Sequence, residues 1–393
     1  MAIHNRKKIK VAVFVAGNET YGQQSTILIQ HKASNAHDID FHYICLHEGE
    51  LYQNLLTLGA DVRIIGGRIT NTSPSNPIKL FFILLSQLKP GFGIFRKIRT
   101  YLKETRPDLL FTHEITEHII GGLAARSCGI KAVGQSHVIF NPKRNLGLSR
   151  IFVGLAHNLS LDMILPVSNA SRDSLWGVVK KKAYPIYVGR DIQNIYKTSQ
   201  TMAARKECPA SDIIYIGRLD TLKKQDVLIE ALGILAREGL HAKTFFVSGG
   251  NDNSNPYYVK LQRQISGLGL EDDITFIGYV SEPYGLLAKA KISVLCCTRD
   301  AGPNVVFESM ACRTPIIVPD AGGAGELVKE GVTGLKFKPD DPASLAKCLR
   351  RLLQDEQLRK QLTEKGFIWA NENITVKAHM TQLRKRFEQL VEN

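Results

Sequence analysis

ISVLCCTRDAGPNVVFESMACRTPIIVPD, residues 292–320, holds two unbroken apolar runs with a helical pattern between them. ISVLCC (292–297) and TPIIVPD (314–320) are short, rich in β-branched residues and nearly free of charge, which reads as strands buried on both faces. NVVFESMAC has helical spacing, and Gly302-Pro303 fit its start, with Gly at the cap and Pro at the first helical position. Strand, helix and strand in that order make a parallel crossover unit. Asp300 falls in the loop before the helix, and Glu308, eight positions on, lies more than a turn inside it. The first amides of the helix, near Asn304, Val305 and Val306, form an anion site assisted by the helix dipole. The two acids fit three readings on spacing alone. They are a glycosidase-like acid and base, or acceptors for the hydroxyls of a sugar nucleotide, or a capping Asp300 with an ion-paired Glu308 on a helix face.

The same alternation runs outward along the chain. VAVFVA (11–16), FHYICL (41–46), VRIIG (62–66), LLFTH (109–113), AVGQSH (132–137) and MILPVS (163–168) are predicted strands with helical stretches between them. A second series follows with IIYIG (213–217), KTFFVSGG (243–250) and ITFIGYV (274–280), ahead of the opening stretch. Two such series predict an α/β chain of two doubly wound, Rossmann-like domains facing across a cleft. The polar, pattern-poor segment 188–211 marks the break. We expect an N-terminal domain over 1–190, a C-terminal domain over 191–375, and a last helix over 376–393. Ligands of such sheets bind beyond the carboxyl ends of the strands, so the residues there carry the chemistry.

Composition narrows the class. The chain has 393 residues, 44% hydrophobic and 22% charged, which is the profile of a globular protein large enough for two cores. Its apolar runs fall short of the roughly 18 residues that span a bilayer. Val11 to Ala16 is short and ends in a polar turn, which reads as a first buried strand and not a leader. Seven cysteines, an odd number without C-x-x-C spacing, argue against a disulfide framework or a zinc site and for a reducing cytoplasm. The net charge of +14 is uneven: residues 1–191 carry 24 Lys/Arg against 13 Asp/Glu (+11), and residues 192–393 carry 27 against 24 (+3). A basic half suits an anionic ligand, an anionic membrane surface or nucleic acid, with a plain solvated surface as the alternative. The chain lacks zinc-finger, ribonucleoprotein and basic-zipper patterns, and we expect no nucleic acid.

In IIYIGRLDTLKKQDVLIEAL the strand ends at Gly217, Arg218 follows, and Lys223 and Lys224 precede a helix that starts near Asp226. Arg grips phosphate as a fork and Lys as a point charge, so the group suits a diphosphate; a solvated basic turn is the alternative. Together with FIGYV and DAGPNVVFESMACRTPIIVPDAGGAGELVKEGVTGLKF, this stretch resembles the family-4 glycosyltransferases of the GT-B fold. The resemblance is strongest over about residues 211–340. The family's E-x7-E motif stands here as Asp300 and Glu308.

The resemblance implies roles. Arg218 and Lys223 resemble the pair that holds the donor diphosphate, and Glu308 the glutamate that accepts the ribose hydroxyls. Asp300 stands where a glutamate contacts the transferred sugar. Amides near Asn304, Val305 and Val306 would complete the phosphate cradle, and the backbone at Tyr279 and Val280 would face the base. AGNETYGQQ stands for the glycine-rich loop after strand one, with Gly22 the better candidate to approach phosphate or sugar. His137 matches a histidine that approaches the transferred sugar, and His113 and Glu114 share its rim. The last helix would cross back to the N-terminal domain. Three positions depart from the family. Asp300 is one methylene shorter than glutamate, Lys224 replaces a glycine, and Arg313 replaces the glycine of M-A-C-G-x-P, either as a salt bridge or as support for a ligand-touching group.

The implied reaction is a retaining transfer from a UDP- or GDP-linked sugar to a glycan or lipid-linked glycan, in polysaccharide or lipopolysaccharide assembly, without cofactor or metal. Charge neutralisation by Arg218, Lys223 and the helix start would carry it. The D-x-D look-alike at 38–40 precedes a strand, at the wrong end for a metal. The segment 76–107, with Phe81, Phe82, Phe92, Phe95, Arg96, Lys97, Arg99, Lys103 and Arg106, suits peripheral docking on an anionic membrane, as does 140–150 with Lys143, Arg144 and Arg150. That places the protein in the cytoplasm, on the inner face of the membrane; the alternative is that LFFILL is core. Two rival classes remain: an epimerase-like sugar-nucleotide enzyme and a non-catalytic sugar-nucleotide binder.

Overall fold

Runs that are apolar at every position become strands covered on both faces. In the computed structural model, which describes residues 7–19, 21–67, 77–140 and 148–392 (backbone alone at 21, 77–89 and 148–150), these strands form two parallel sheets. The chain divides into two units, Met1–Gly189 with Val376–Asn393, and Arg190–Thr375.

The first unit holds β1 (Ile9–Val15), β2 (Ile39–Cys45), β3 (Asp61–Ile64), β4 (Leu109–Thr112), β5 (Lys131–Ser136) and β6 (Met163–Pro166), in the order β3-β2-β1-β4-β5-β6. β1 shows why its sequence lacks alternation. Val11, Val13 and Val15 join one buried cluster with Tyr43, Phe111 and Leu165, while Ala12 and Phe14 join another with Leu102, Leu110 and Ile164. Both faces bury apolar surface, at roughly 1.5–3 kcal/mol for each large side chain. The final helix, Val376–Val391, belongs to this unit. Met380, Leu383 and Phe387 enter its core, with the Phe387 ring 5.3 Å from that of Phe111. Arg384 donates to the carbonyls of Lys7, His37 and Asp38, tying the helix to the start of the sheet.

The second unit holds β7 (Ser211–Ile216), β8 (Thr244–Val247), β9 (Ile274–Gly278), β10 (Ala290–Val294), β11 (Ile316–Pro319) and β12 (Leu335–Phe337), in the order β12-β11-β10-β7-β8-β9. β12 has three residues and is not among the predicted strands. The order reverses direction between β7 and β10, which is where a doubly wound sheet opens a crevice at its carboxyl edge. The chain enters and leaves this unit side by side: Arg190 N–H donates to Ile374 O at 2.7 Å, and Arg190 bridges Thr375 in parallel.

Two local readings shift. Pro303 is the cap of the Asn304–Ala311 helix, one residue later than expected, because its ψ of 117° is extended. Gly22 lies within the Tyr21–Ser34 helix, its carbonyl accepting from Thr26 Oγ1, and not in the loop after β1. The glycine which that loop requires is Gly17, at φ 101°, where a Cβ would meet His47 O at 2.2 Å. Asp38 and Asp40 sit at the amino end of β2, with Asp40 paired to His42 and Lys8.

Candidate functional site

The reversal between β7 and β10 brings Lys223 and Asp300 together, with Arg218 and the start of the Asn304–Ala311 helix in the adjoining segments. Arg218 follows β7, with Nη2 3.4 Å from Asp220 Oδ2 and its side chain 61% exposed. Asp220 folds the turn by accepting from Leu222 N and Lys223 N. The Tyr215 hydroxyl donates to Lys223 O, and Gln225 Nε2 donates to Arg218 O, so both cations leave a pinned backbone. Lys223 Nζ reaches Asp300 Oδ2 across the crevice at 2.7 Å. Burial alone would lower the lysine pKa; Asp300, with Cys297 and Asp220, outweighs burial and holds the ammonium above its ordinary value.

Asp300 is set by the loop after β10 and by the turn after β11. Gly323 N–H donates to Asp300 O, and a Cβ at Gly323 would meet Ala301 O at 2.1 Å, so the two loops touch backbone to backbone. The Asn304–Ala311 helix starts here. Asn304 and Val305 open it and have no carbonyl four residues back within it, while Val306 N–H is taken by Pro303 O. Glu308 is one turn along, half-buried, and burial raises its carboxyl pKa against the opposing charge of Arg190. Tyr279, 65% exposed, and Val280 follow β9, with Tyr279 beside Gly249 of the loop after β8.

Arg190 is a residue that sequence reasoning passed over, because it lies in the pattern-poor break. It is 4% exposed and its Nη2 donates to Asn304 Oδ1. Burial lowers its pKa; Glu308 and Tyr284 oppose that. No motif signals it. A lone arginine beside a predicted boundary carries no period, and its backbone bridge is to Thr375, far along the chain.

In the first unit the carboxyl edges of β1, β4 and β5 adjoin. Both oxygens of Glu19 close the loop after β1, accepting from Ala16 N at 2.6 Å and Gly17 N at 2.8 Å. His113 follows β4 and His137 follows β5, their rings stacked 5.9 Å apart. Burial, then His137 and His379, pushes His113 well below the usual histidine value. Glu114 caps the Ile115–Arg126 helix in a reciprocal box with Glu117. Burial, then Glu19 and Glu114, drives the Glu117 carboxyl well up. Behind them Gln30 Nε2 bridges Gln135 Oε1 and His379 Nε2, each at 3.0 Å, and His379 Nδ1 meets Tyr187 O.

The departures resolve physically. Lys224 and Arg313 both hold φ 57°, the left-handed region that favours glycine. Lys224 caps the Gln225–Arg237 helix and pairs with Asp340. Arg313 follows the end of the Asn304–Ala311 helix, pairs with Glu364 at 3.0 Å, and lies 4.4 Å over the Phe367 ring. Of its two alternatives, the salt bridge is the one present.

Residues 205–369 match the model for glycosyl transferases group 1, and residues 47–194 that for glycosyltransferase family 4. A Campylobacter jejuni GalNAc-alpha-(1->4)-GalNAc-alpha-(1->3)-diNAcBac-PP-undecaprenol alpha-1,4-N-acetyl-D-galactosaminyltransferase is 31% identical over 288 residues, covering 67% of this chain and 77% of that one. Alpha-D-kanosaminyltransferase of Streptomyces kanamyceticus is 29% identical over 154 residues, 39% of each chain. Against other curated relatives the match spans about half of their length. Anabaena HepE in complex with UDP shares the fold at a TM-score of 0.78 and 20% identity, covering 97% of this chain and 100% of that one.

Proposed function

The chain belongs to the group 1, family 4 glycosyltransferases, and from that premise we propose that it moves a sugar from a UDP- or GDP-linked donor to a glycan or lipid-linked glycan acceptor, with retention at the anomeric carbon. One observation carries the reading. Two cations after β7 and an open helix start after β10 meet where the strand order reverses, beside two carboxylates.

In this reading Arg218, Lys223 and the amides of Asn304 and Val305 oppose the charge that gathers on the departing diphosphate. Glu308 accepts the ribose hydroxyls, and Asp300 lies on the sugar side. Tyr279 and Val280 border the base. His137, at the carboxyl edge of β5, with His113 stacked beside it, is the first-unit residue this reading assigns to the transferred sugar. The acceptor hydroxyl attacks on the face from which the diphosphate leaves, and its proton passes to the leaving oxygen. The protein then supplies position and charge and needs no separate base.

The acceptor side has independent support. Among the described residues no helix is long and apolar enough to cross a membrane. On the Leu148–Ser160 helix, however, Ile151, Phe152, Leu155 and Leu159 are exposed, 37%, 63%, 43% and 59%, at helical spacing. In the Pro77–Thr105 helix Ile94, Ile98, Tyr101 and Leu102 are core, while Phe92 is 63% exposed and stacks on Phe95. The side chains of Phe81, Phe82 and Arg150, and residues Lys143 and Arg144, lie outside the described parts. An apolar stripe on a half of net charge +11 suits the cytoplasmic face of an anionic membrane, where a lipid-linked acceptor is presented. The relative named for a PP-undecaprenol substrate supports that acceptor class.

A thermal-shift panel of UDP-, GDP-, dTDP- and ADP-sugars tests the donor reading, since donor binding raises stability by mass action. Stabilisation by one nucleotide class, followed by transfer of its sugar to a glycan acceptor, is expected. Stabilisation by none removes the reading.

A further inference from the structure

Arg190 is buried at a position where the donor reading assigns it no role. A guanidinium taken from water is costly unless its donors and charge are met. One donor goes to Asn304 Oδ1, and the Glu308 carboxylate, one turn along the same helix, supplies the opposing charge. Arginine has donors and no acceptor, so the amide of Asn304 must turn its oxygen to Arg190 and its NH2 away. Asn304 is half-buried and is the first residue of its helix, so its side chain leaves the backbone at the turn that carries the opening amides. The launch point of Arg190 is equally fixed, through its N–H bond to Ile374 O.

We propose that Arg190 is a positioning residue for the donor diphosphate: it locks the Asn304 side chain with its two N–H donors toward the anion. This rests on the reading of the second unit as the nucleotide-sugar site. Without the guanidinium the amide is free to flip, and an oxygen then faces the phosphate for part of the time. The neutral Asn304 group thereby adds a directional contact to the charges of Arg218 and Lys223.

The test is a double-mutant cycle on the full chain. Wild type, Arg190→Met, Asn304→Ala and the double variant are titrated calorimetrically with UDP and with GDP, after circular dichroism establishes that each is folded. Each single variant should lose roughly tenfold in affinity, and the double variant no more than the weaker single, because one residue acts through the other. Additive losses overturn the proposal, as does a folded Arg190→Met with wild-type affinity. Two conservative variants cover a failure of Arg190→Met to fold. Arg190→Lys should stay within about threefold of wild type, since it keeps a charge and a donor toward Asn304. Asn304→Asp keeps the Arg190 bond, replaces the NH2 by oxygen, and should lose nucleotide binding while melting no lower than wild type. Wild-type affinity in Asn304→Asp, or loss of binding in Arg190→Lys as deep as in Asn304→Ala, overturns the proposal. Failure of the wild type to bind either nucleotide is a different result, and it sinks the donor reading itself.

Discussion

Lys223 Nζ stands 2.7 Å from Asp300 Oδ2, so the lysine expected at a phosphate and the acid expected at a sugar are each other's partners. Both side chains are about one-fifth exposed, at 22% and 20%. A diphosphate that recruits Lys223 must share it with Asp300. In Asp300→Asn the lysine keeps its burial and loses its counter-charge. The variant should be less stable by about 2–3 kcal/mol in urea unfolding. Added UDP should then raise its melting temperature more than it raises that of wild type, because phosphate replaces the missing charge. Equal shifts in the two proteins would show that the diphosphate does not use Lys223.

Arg218 and Glu308 separate activity from stability. Arg218 is largely exposed and its ion pair with Asp220 is loose, so Arg218→Ala should change stability by less than about 0.5 kcal/mol. If Arg218 opposes charge on the leaving diphosphate, the same variant should transfer sugar at least about tenfold more slowly. Glu308→Ala should slow transfer to a similar degree. Normal turnover in either purified variant would remove that residue from the site.

Arg313 reverses the usual order of glycine and alanine. Its left-handed backbone costs about 1 kcal/mol, and its stack on Phe367 and pairing with Glu364 return a similar amount. Arg313→Gly loses the contacts and the strain together, and should be close to neutral. Arg313→Ala loses the contacts and keeps the strain, so it should be about 1 kcal/mol less stable than Arg313→Gly. Chemical denaturation of both variants checks the order.

The first unit should be acid-labile through its buried histidines. Burial, with Lys182 adding to it, brings His157 down to about 4, and the ring is 1% exposed. A histidine lowered in the folded state binds its proton on unfolding. Its contribution is complete above the unfolded value near 6.5 and is lost as pH falls toward 4. Relative to His157→Gln, wild type should lose about 3 kcal/mol between pH 7 and pH 4. His113 and His118 shift in the same direction. Glu117 opposes them: its raised carboxyl stabilises the fold at low pH and ceases to as pH rises through its folded value. Parallel stability curves for wild type and His157→Gln would contradict a neutral buried ring.

Membrane docking has its own measurement. Phe152→Glu combined with Leu159→Glu should cut co-sedimentation with anionic vesicles several-fold at low salt, with nucleotide binding unchanged, because both side chains are exposed on one helix face. Wild type that fails to sediment at low salt would count against docking.

Much of this was legible because burial on both faces leaves an unmistakable mark. β1, β4, β7 and β10 carry apolar runs, and His113, Arg218 and Asp300 each lie in the segment just past one of them, while His137 follows β5 and Tyr279 follows β9. β12 was missed because Leu335–Phe337 is too short for any period to show. Gly22 reads as part of the loop because a glycine beside a loop looks like the loop's own; it lies in the first turn of the following helix, and the loop's left-handed glycine is Gly17, where a Cβ would meet His47 O at 2.2 Å. Lys224 and Arg313 looked like extra charges because composition carries charge and says nothing of φ. Arg190 was invisible for a further reason. Its partners Asn304 and Glu308 lie more than 100 positions away, and a local pattern cannot register a partner that distant.

The paired passage of Arg190 and Thr375 makes the second unit an insertion with adjoining ends. Residues 190–375 can therefore be excised as one uninterrupted polypeptide, and a short glycine-serine joint between Gly189 and Val376 would close the remainder without spanning any gap. The two units of this chain are in that sense exchangeable cassettes, and a foreign module with neighbouring termini could be spliced into the same seam.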